Sequence, residues 1–358
     1  MGALGLAAAC VLAAGCCALS APRHQGPPSD HFDGSRFFNP GAHDERGVGA
    51  MLRWMTHRHP GPWRKWTDAP RGRAPVRRVE PGAMRVTFIG HSTVLLQMDG
   101  LNVLTDPVWS DSVGPISGIG PRRHCPPGLY ITDLPPIDVV LVSHDHYDHL
   151  DLPTLESLAE EHHPRVVTGL GNGALLESHG IGRGIELDWW QSVDISSPDG
   201  RALLRVTSVP AKHFSMRGVC DRNESLWSGF VITGPSGSVF FAGDTGYGPH
   251  FRAIASRVGS IRLALLPIGA FRPREFMGPV HMSPDEAALA HRDLGARTSM
   301  AIHFGTFAQA DDGQDEPATD LVAALQRANE LRDRFWILAN GESRDVPRAD
   351  VAIDDRAP

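Results

Sequence analysis

His144-Asp145-His146-Tyr147-Asp148-His149 follows directly on the apolar run Val139–Ser143 and leads into Leu150-Asp151-Leu152-Pro153. A short apolar run of this kind reads as a buried strand. Asp151-Leu152-Pro153 reads as the start of a helix continuing through Glu161. The six residues therefore form a strand-to-helix loop at a sheet edge, where side chains can converge on a ligand. Imidazole and carboxylate are donors that suit zinc, although such sites also accept iron or manganese. Four ligating side chains in six residues cannot all reach one ion and leave room for water. Dividing them between two ions solves the geometry: His144 with His146, and Asp148 with His149.

Further donors stand at the ends of other expected strands. His213 follows the strand Leu203–Val209 in Pro210-Ala211-Lys212-His213, and Asp244 follows Ser238–Ala242 in Gly243-Asp244-Thr245-Gly246. His303 closes Thr298–His303, just before Phe304-Gly305. A lone His or Asp at a strand end is commonly a surface cap. Three of them, each beyond an apolar strand and beside Gly or Pro, point to the same site.

The rest of the chain supplies the frame. Arg85–Gly90, Thr93–Met98 and Asn102–Thr105 read as consecutive strands, with Met98-Asp99-Gly100 as a hairpin signal. Val166–Thr168, Gly229–Thr233, Leu263–Pro267 and Phe335–Leu338 complete the expected strands. Ser283-Pro284-Asp285-Glu286 has the form of a capping box, Gly295 ends that helix, and Asp320–Leu331 reads as another. Two groups of strands, each with later helices, predict an α/β fold: a four-layer αββα sandwich rather than a barrel or a doubly wound sheet.

The His-x-His-x-Asp-His run, with a later His, Gly-Asp-Thr and a final His, resembles the ligand set of the metallo-β-lactamase superfamily. Gly90-His91-Ser92-Thr93, Leu104-Thr105-Asp106-Pro107, Gly120-Pro121-Arg122-Arg123 and Leu134-Pro135-Pro136-Ile137-Asp138 narrow the resemblance. So do Gly243-Asp244-Thr245-Gly246-Tyr247, His281 before Pro284-Asp285-Glu286-Ala287, Ile302-His303-Phe304-Gly305-Thr306-Phe307 and Gly341-Glu342-Ser343. Together they are similar to N-acylphosphatidylethanolamine-hydrolysing phospholipase D and its bacterial relatives, over roughly residues 31 to 345.

The resemblance implies two zinc ions per chain in a metallo-β-lactamase fold. His144, His146 and His213 would hold one, Asp148, His149 and His303 the other, with Asp244 bridging. His281 would contact substrate or assist proton transfer. Asp106 is a candidate acceptor for a ligand imidazole N–H, since metal-bound His usually has such a partner, and His91 has a similar place. The implied reaction is attack of a metal-bridging hydroxide on phosphorus, releasing an N-acylethanolamine from N-acylphosphatidylethanolamine or cleaving a related lipid. Asp148 or Asp244 would steer the nucleophile's proton. No Gly-x-Ser-x-Gly elbow offers a serine nucleophile. Two other readings stand beside this one: hydrolysis of a soluble lactone or ester by the same mechanism, and a non-catalytic envelope lipoprotein.

Composition bounds the remainder. The 358 residues are 41% hydrophobic and 21% charged, as in an ordinary globular protein, and the formal charge of −7 argues against a nucleic-acid partner. Residues 1–21 form an apolar leader, 22–80 an irregular arm, 81–345 the hydrolase domain and 346–358 a tail. Leu12-Ala13-Ala14-Gly15-Cys16 resembles a lipoprotein cleavage box, which implies the bacterial cell envelope; the alternative is a cytoplasmic protein. In the arm, Met51, Leu52, Trp54 and Met55, then Trp63 and Trp66, are interleaved with Arg53, Arg58, Arg64 and Lys65. That pattern suits either contact with a membrane surface or a cover over the main domain. Cys125 and Cys220 are expected as buried free thiols, or as a pair in an oxidising compartment.

Overall fold

A computed structural model describes residues 20–41, 48–197, 200, 202–328 and 332–348. Fourteen strands among these residues form two seven-stranded sheets. The first takes β1 (Met84–Gly90), β2 (Thr93–Met98), β3 (Leu101–Thr105), β4 (Val139–Val142), β5 (Arg165–Gly169), β6 (Ile185–Leu187) and the late β14 (Ser343–Asp345), in the order β14-β1-β2-β3-β4-β5-β6. The second takes β7 (Ser192–Ser196), β8 (Leu203–Val209), β9 (Gly229–Gly234), β10 (Gly237–Phe241), β11 (Ile261–Pro267), β12 (Thr298–Ile302) and β13 (Phe335–Trp336), in sequential order. Both sheets follow one plan. Hairpin-linked antiparallel strands come first, and parallel strands follow from β3 to β6 and from β10 to β13.

The inner faces meet in an apolar core. Val86, Phe88, Leu96 and Leu141 of the first sheet pack on Val206, Phe230, Phe241 and Leu265 of the second. Outside the first sheet lie α2 (Leu152–His162) and α3 (Gly173–Ser178), whose Leu155, Leu158 and Leu176 cover Leu104 and Val140. Outside the second, α4 (His250–Val258), α6 (Pro284–Leu294) and α7 (Glu316–Arg327) bring Phe251, Ile254, Leu294 and Leu321 onto Phe240 and Leu266. The expected αββα sandwich is therefore present, the central strands of each sheet being apolar on the face that meets the other sheet and on the face that helices cover.

Local signals account for several boundaries. Met98 and Leu101 pair across a two-residue turn in which Asp99 and Gly100 have φ of 50° and 81°, as a tight hairpin requires. Ser283 and Glu286 satisfy each other's backbone N–H in a reciprocal capping box, and Gly295 closes α6 in the left-handed conformation. Two expectations need correcting. The helix placed at Asp320–Leu331 begins at Glu316, because Pro317 fits the first turn of a helix, and it ends at Arg327. Cys220 is disulfide-bonded while Cys125 is free and buried, so the two neither pair with each other nor both remain thiols.

Among its described residues the arm contains α1 (Val48–Thr56) and no named strand. Trp54 of α1 stacks on Phe276 at 5.0 Å, whereas Met51, Leu52 and Met55 are 41%, 53% and 58% exposed. One side of the helix thus covers the domain and the other presents apolar side chains outward. Residues 1–19, with Cys16 and its lipoprotein-like box, lie outside the described residues, as do 349–358 of the tail. Among the described residues no helix is long and apolar enough to cross a membrane.

Candidate metal centre

The donors are gathered at the C-terminal ends of strands from both sheets. β4 delivers residues 143–149, β8 delivers His213, β10 delivers Asp244 and β12 delivers His303. A loop after β11, through the short α5 (Arg274–Met277), delivers His281. His91, Asp106 and His303 all have positive φ, at 56°, 30° and 58°. Non-glycine residues hold that region only when their surroundings enforce it. Here the His91 N–H donates to Thr306 Oγ1, the His303 N–H to the His91 carbonyl, and the Asp106 N–H to the Leu141 carbonyl.

Two clusters result. In one, His146 Nδ1 lies 2.8 Å from His144 Nε2 and 3.3 Å from His213 Nε2. The outer nitrogens of two of these rings are occupied: His144 Nδ1 pairs with Ser143 Oγ, and His213 Nδ1 with the Val280 carbonyl. In the other, Asp148 Oδ2 lies 3.0 Å from His149 Nε2 and 3.5 Å from His303 Nε2. His149 Nδ1 donates to Asp106 Oδ2 at 2.6 Å, and the Ser143 hydroxyl donates to the same oxygen. Asp244 Oδ2 stands between the clusters, 3.0 Å from His303 Nε2, 3.3 Å from His149 Nε2 and 3.9 Å from His213 Nε2. His281 Nδ1 is 3.8 Å from the same oxygen.

The residues fit a metal on the chemistry of their free atoms. His149 Nε2, His303 Nε2 and Asp244 Oδ1 are buried and make no hydrogen bond, a state that costs free energy unless another partner takes the lone pairs. Burial, reinforced by neighbouring imidazoles, holds His144 well below its ordinary pKa, and burial takes His146 down to about 4. Neutral rings are the ligating form. Burial also resists charge on His149 and His303. The carboxylates of Asp244 and Asp148 outweigh it, so His149 lies well above its ordinary value and His303 is pushed up to about 9. Asp148 and Asp244 are held well below the usual carboxylate range despite burial, because His149 faces both. Two buried carboxylates thus draw positive charge to one spot, and a divalent ion supplies such charge more compactly than two imidazolium rings.

All of His144, His146, Asp148, His149, His213, Asp244, His281 and His303 are brought together here. Asp106 and His91 prove to be partners of the donors rather than a turn carboxylate and a loop histidine, with His91 Nε2 donating to Asp148 Oδ2 at 2.8 Å. Sequence reading missed Gln309, whose amide also donates to Asp148 Oδ2, at 2.7 Å. It also missed Phe214, whose ring lies 4.5 Å from that of His146. Gln309 has no flanking motif, and Phe214 is marked only by following His213.

Similarity to other proteins agrees with this geometry. A family model described as the β-lactamase superfamily domain matches residues 101–304. An uncharacterized protein of Mycobacterium tuberculosis is 40% identical over 271 residues, covering 72% of this chain and 70% of that protein. The N-acyl-phosphatidylethanolamine-hydrolyzing phospholipase D 1 of Caenorhabditis elegans is 35% identical over 260 residues, 70% of this chain and 72% of that one. In fold, the isothiocyanate hydrolase from Delia radicum gut bacteria superposes with a TM-score of 0.56 at 20% identity, over 73% of this chain and 98% of that one. With the family match spanning both clusters and the relatives covering most of the same length, the chain belongs to the β-lactamase superfamily, as a metal-dependent hydrolase of the metallo-β-lactamase fold.

Proposed function

We propose that the chain is a phosphodiesterase of the phospholipase D type that holds two zinc ions and releases the head-group alcohol from N-acylphosphatidylethanolamine or a related lipid. The position of Asp244 carries the reading. Its Oδ2 lies within 3.9 Å of imidazole nitrogens from both clusters, which suits a carboxylate shared by two ions. His144, His146 and His213 would then hold one ion, and Asp148, His149 and His303 the other. Two ions so held would supply the chemistry of activating a water at neutral pH and offsetting charge on the phosphoryl oxygens.

The chain's own residues do the rest. His91 and Gln309 fix the rotamer of Asp148 through hydrogen bonds of 2.8 Å and 2.7 Å to one oxygen. Asp106 fixes the ring of His149. His281 is less buried than its neighbours His213 and Asp244, and Arg274 holds its backbone carbonyl at 2.9 Å. It is the group suited to pass a proton to the departing alcohol oxygen. The P–O bond to the head group breaks, a P–O bond to the water oxygen forms, and phosphatidic acid and an N-acylethanolamine leave.

The Caenorhabditis elegans relative named for this lipid, and the exposed Met51, Leu52 and Met55 of α1, support a substrate presented at a membrane surface. An envelope location goes with that proposal. The test is turnover of N-acylphosphatidylethanolamine in detergent micelles, with metal content measured on the same preparation, for the wild type and Asp244→Asn. About two zincs per chain and activity lost in the variant would support the reading. Two zincs without lipid turnover would discard the substrate and direct the assay to soluble lactones and simple esters. Absence of bound metal would sink it.

A further inference from the structure

β8 ends at Val209, so the residues that carry the chain on to His213 have left the sheet ladder. Their backbone groups need other partners. The Lys212 N–H donates to Thr245 Oγ1 at 2.9 Å, and the Lys212 carbonyl accepts the Gly246 N–H at 2.9 Å. This ties the approach to His213 to the loop that carries Asp244. The carbonyl of His213 itself, a residue buried from solvent, takes its hydrogen from the arm: Asn39 Nδ2 donates to it at 2.8 Å.

The other end of the Asn39 amide is fixed as well. Trp227 Nε1 donates to Asn39 Oδ1 at 3.1 Å and to the Ala211 carbonyl at 3.0 Å. An indole N–H only donates and a backbone carbonyl only accepts, so the two partners set the orientation of the amide. Trp227 is buried among Phe32, Phe37, Ala211 and Leu226. The arm is pinned just before this contact. The Phe37 N–H donates to the Asn223 carbonyl at 2.8 Å, and His31 bridges Asp30 and Asp188 while stacking on Trp189 at 4.3 Å.

Asn39 thus meets the metal centre through one residue. The ring of His213 is held at Nδ1 by the Val280 carbonyl, and its Nε2 lies 3.3 Å from His146 Nδ1 and 3.9 Å from Asp244 Oδ2. Ring orientation and backbone position together decide where Nε2 points. The Val280 carbonyl holds the first and Asn39 the second. We propose that Asn39 is a positioning residue of the His144, His146 and His213 cluster, so that the arm completes the metal centre as well as covering the domain. The inference rests on the zinc reading of the centre and on no particular substrate. Metal–ligand distances tolerate a displacement of only about 0.2 Å, so a small shift of the His213 backbone is enough to weaken the site.

The experiment compares the full chain with Asn39→Ala, Asn39→Asp, His213→Ala and the double variant Asn39→Ala/His213→Ala. The aspartate keeps the shape and the acceptor for Trp227 but has no N–H for the His213 carbonyl. Chelator competition gives zinc affinity and stoichiometry, and Tm is recorded on the metal-free proteins. Asn39→Ala and Asn39→Asp should each weaken zinc binding roughly 10–100-fold, the range for groups that orient a metal ligand. In the His213→Ala background the loss of Asn39 should change zinc affinity by less than about twofold, because residues acting through one another are not additive. Should Asn39→Ala fail to fold, Asn39→Asp is carried through the same cycle. Wild-type affinity in the Asn39 variants, or losses that add to that of His213→Ala, would overturn the proposal and leave Asn39 an anchor of the arm. Wild-type protein that binds no zinc would remove the zinc reading itself, and this role with it.

Discussion

Asp106 Oδ2 accepts the Nδ1–H of His149 at 2.6 Å, although 43 residues separate them and neither side chain is exposed to solvent. The same carboxylate takes the Ser143 amide at 2.7 Å and the Ser143 hydroxyl at 2.6 Å, and that hydroxyl meets His144 Nδ1. One buried anion therefore orients a donor in each cluster. It leaves both rings with Nε2 facing inward, the state a metal ligand must have.

Replacing Asp106 with Asn should keep the fold and weaken the metal site. The amide can accept from one partner but no longer strengthens the basicity of His149, and losses of this kind run to about 10–100-fold in metal affinity. Chelator competition on the purified variant, with circular dichroism as a control, measures it. Affinity equal to wild type would mean that Asp106 only closes the β3 corner.

Replacing His281 with Ala should separate proton transfer from metal binding. His281 Nδ1 lies near Asp244 but outside the short nitrogen contacts that join the other histidines. Both ions should remain, while kcat falls by roughly 10²–10⁴-fold, the usual contribution of a positioned general acid or base. Loss of one ion with the activity would make His281 a ligand.

Replacing Gly269 with Ala should disturb His303 through the backbone. A Cβ at that position would sit 2.1 Å from the His303 carbonyl oxygen, which cannot yield because its residue is already held at a φ of 58° by the hydrogen bond to His91. Overpacking of this kind costs about 1–3 kcal/mol. Metal affinity should fall with Tm. An unchanged metal affinity in a destabilised variant would show that His303 is more tolerant than its backbone implies.

Much of this was legible in the sequence, and the reason is physical. Thr93–Met98, buried on both faces, and Leu203–Val209, whose first residues alternate exposed and buried, were readable to the residue, because each carries a clear strand pattern. The sequence missed β7, Ser192–Ser196, an edge strand that buries only Ile195, and α4, which has no side-chain cap to announce it. The donors were visible because they cluster in six residues or follow strands. Gln309 was not, since only the folding of separate loops brings it to Asp148. Cys220 was misread because spacing does not reveal disulfide partners.

The arm offers a contrast between two ion pairs. Arg58 Nε donates to Asp311 Oδ1 at 2.8 Å, and the other oxygen of Asp311 accepts the His59 N–H at 2.9 Å. Asp311 is buried, its backbone carbonyl takes the Gly61 N–H, and Arg58 also lies over Trp54, which stacks on Phe276. Arg64 meets Asp315 with two hydrogen bonds of 2.7 Å and 2.6 Å, but both side chains are exposed. Asp311→Ala would remove the acceptor of both the His59 N–H and Arg58 Nε, at about 1–3 kcal/mol. It should loosen α1 from Phe276 and speed tryptic cleavage in residues 53–65. Arg64→Ala should change neither Tm nor cleavage appreciably, since exposed pairs lose most of their attraction to solvent screening and side-chain entropy. The same segment borders the loop that carries Gln309, so Asp311→Ala should also lower kcat while Arg64→Ala leaves it alone. Equal behaviour of the two variants would mean that the arm is held by its apolar contacts and that the Arg58–Asp311 pair adds nothing to them.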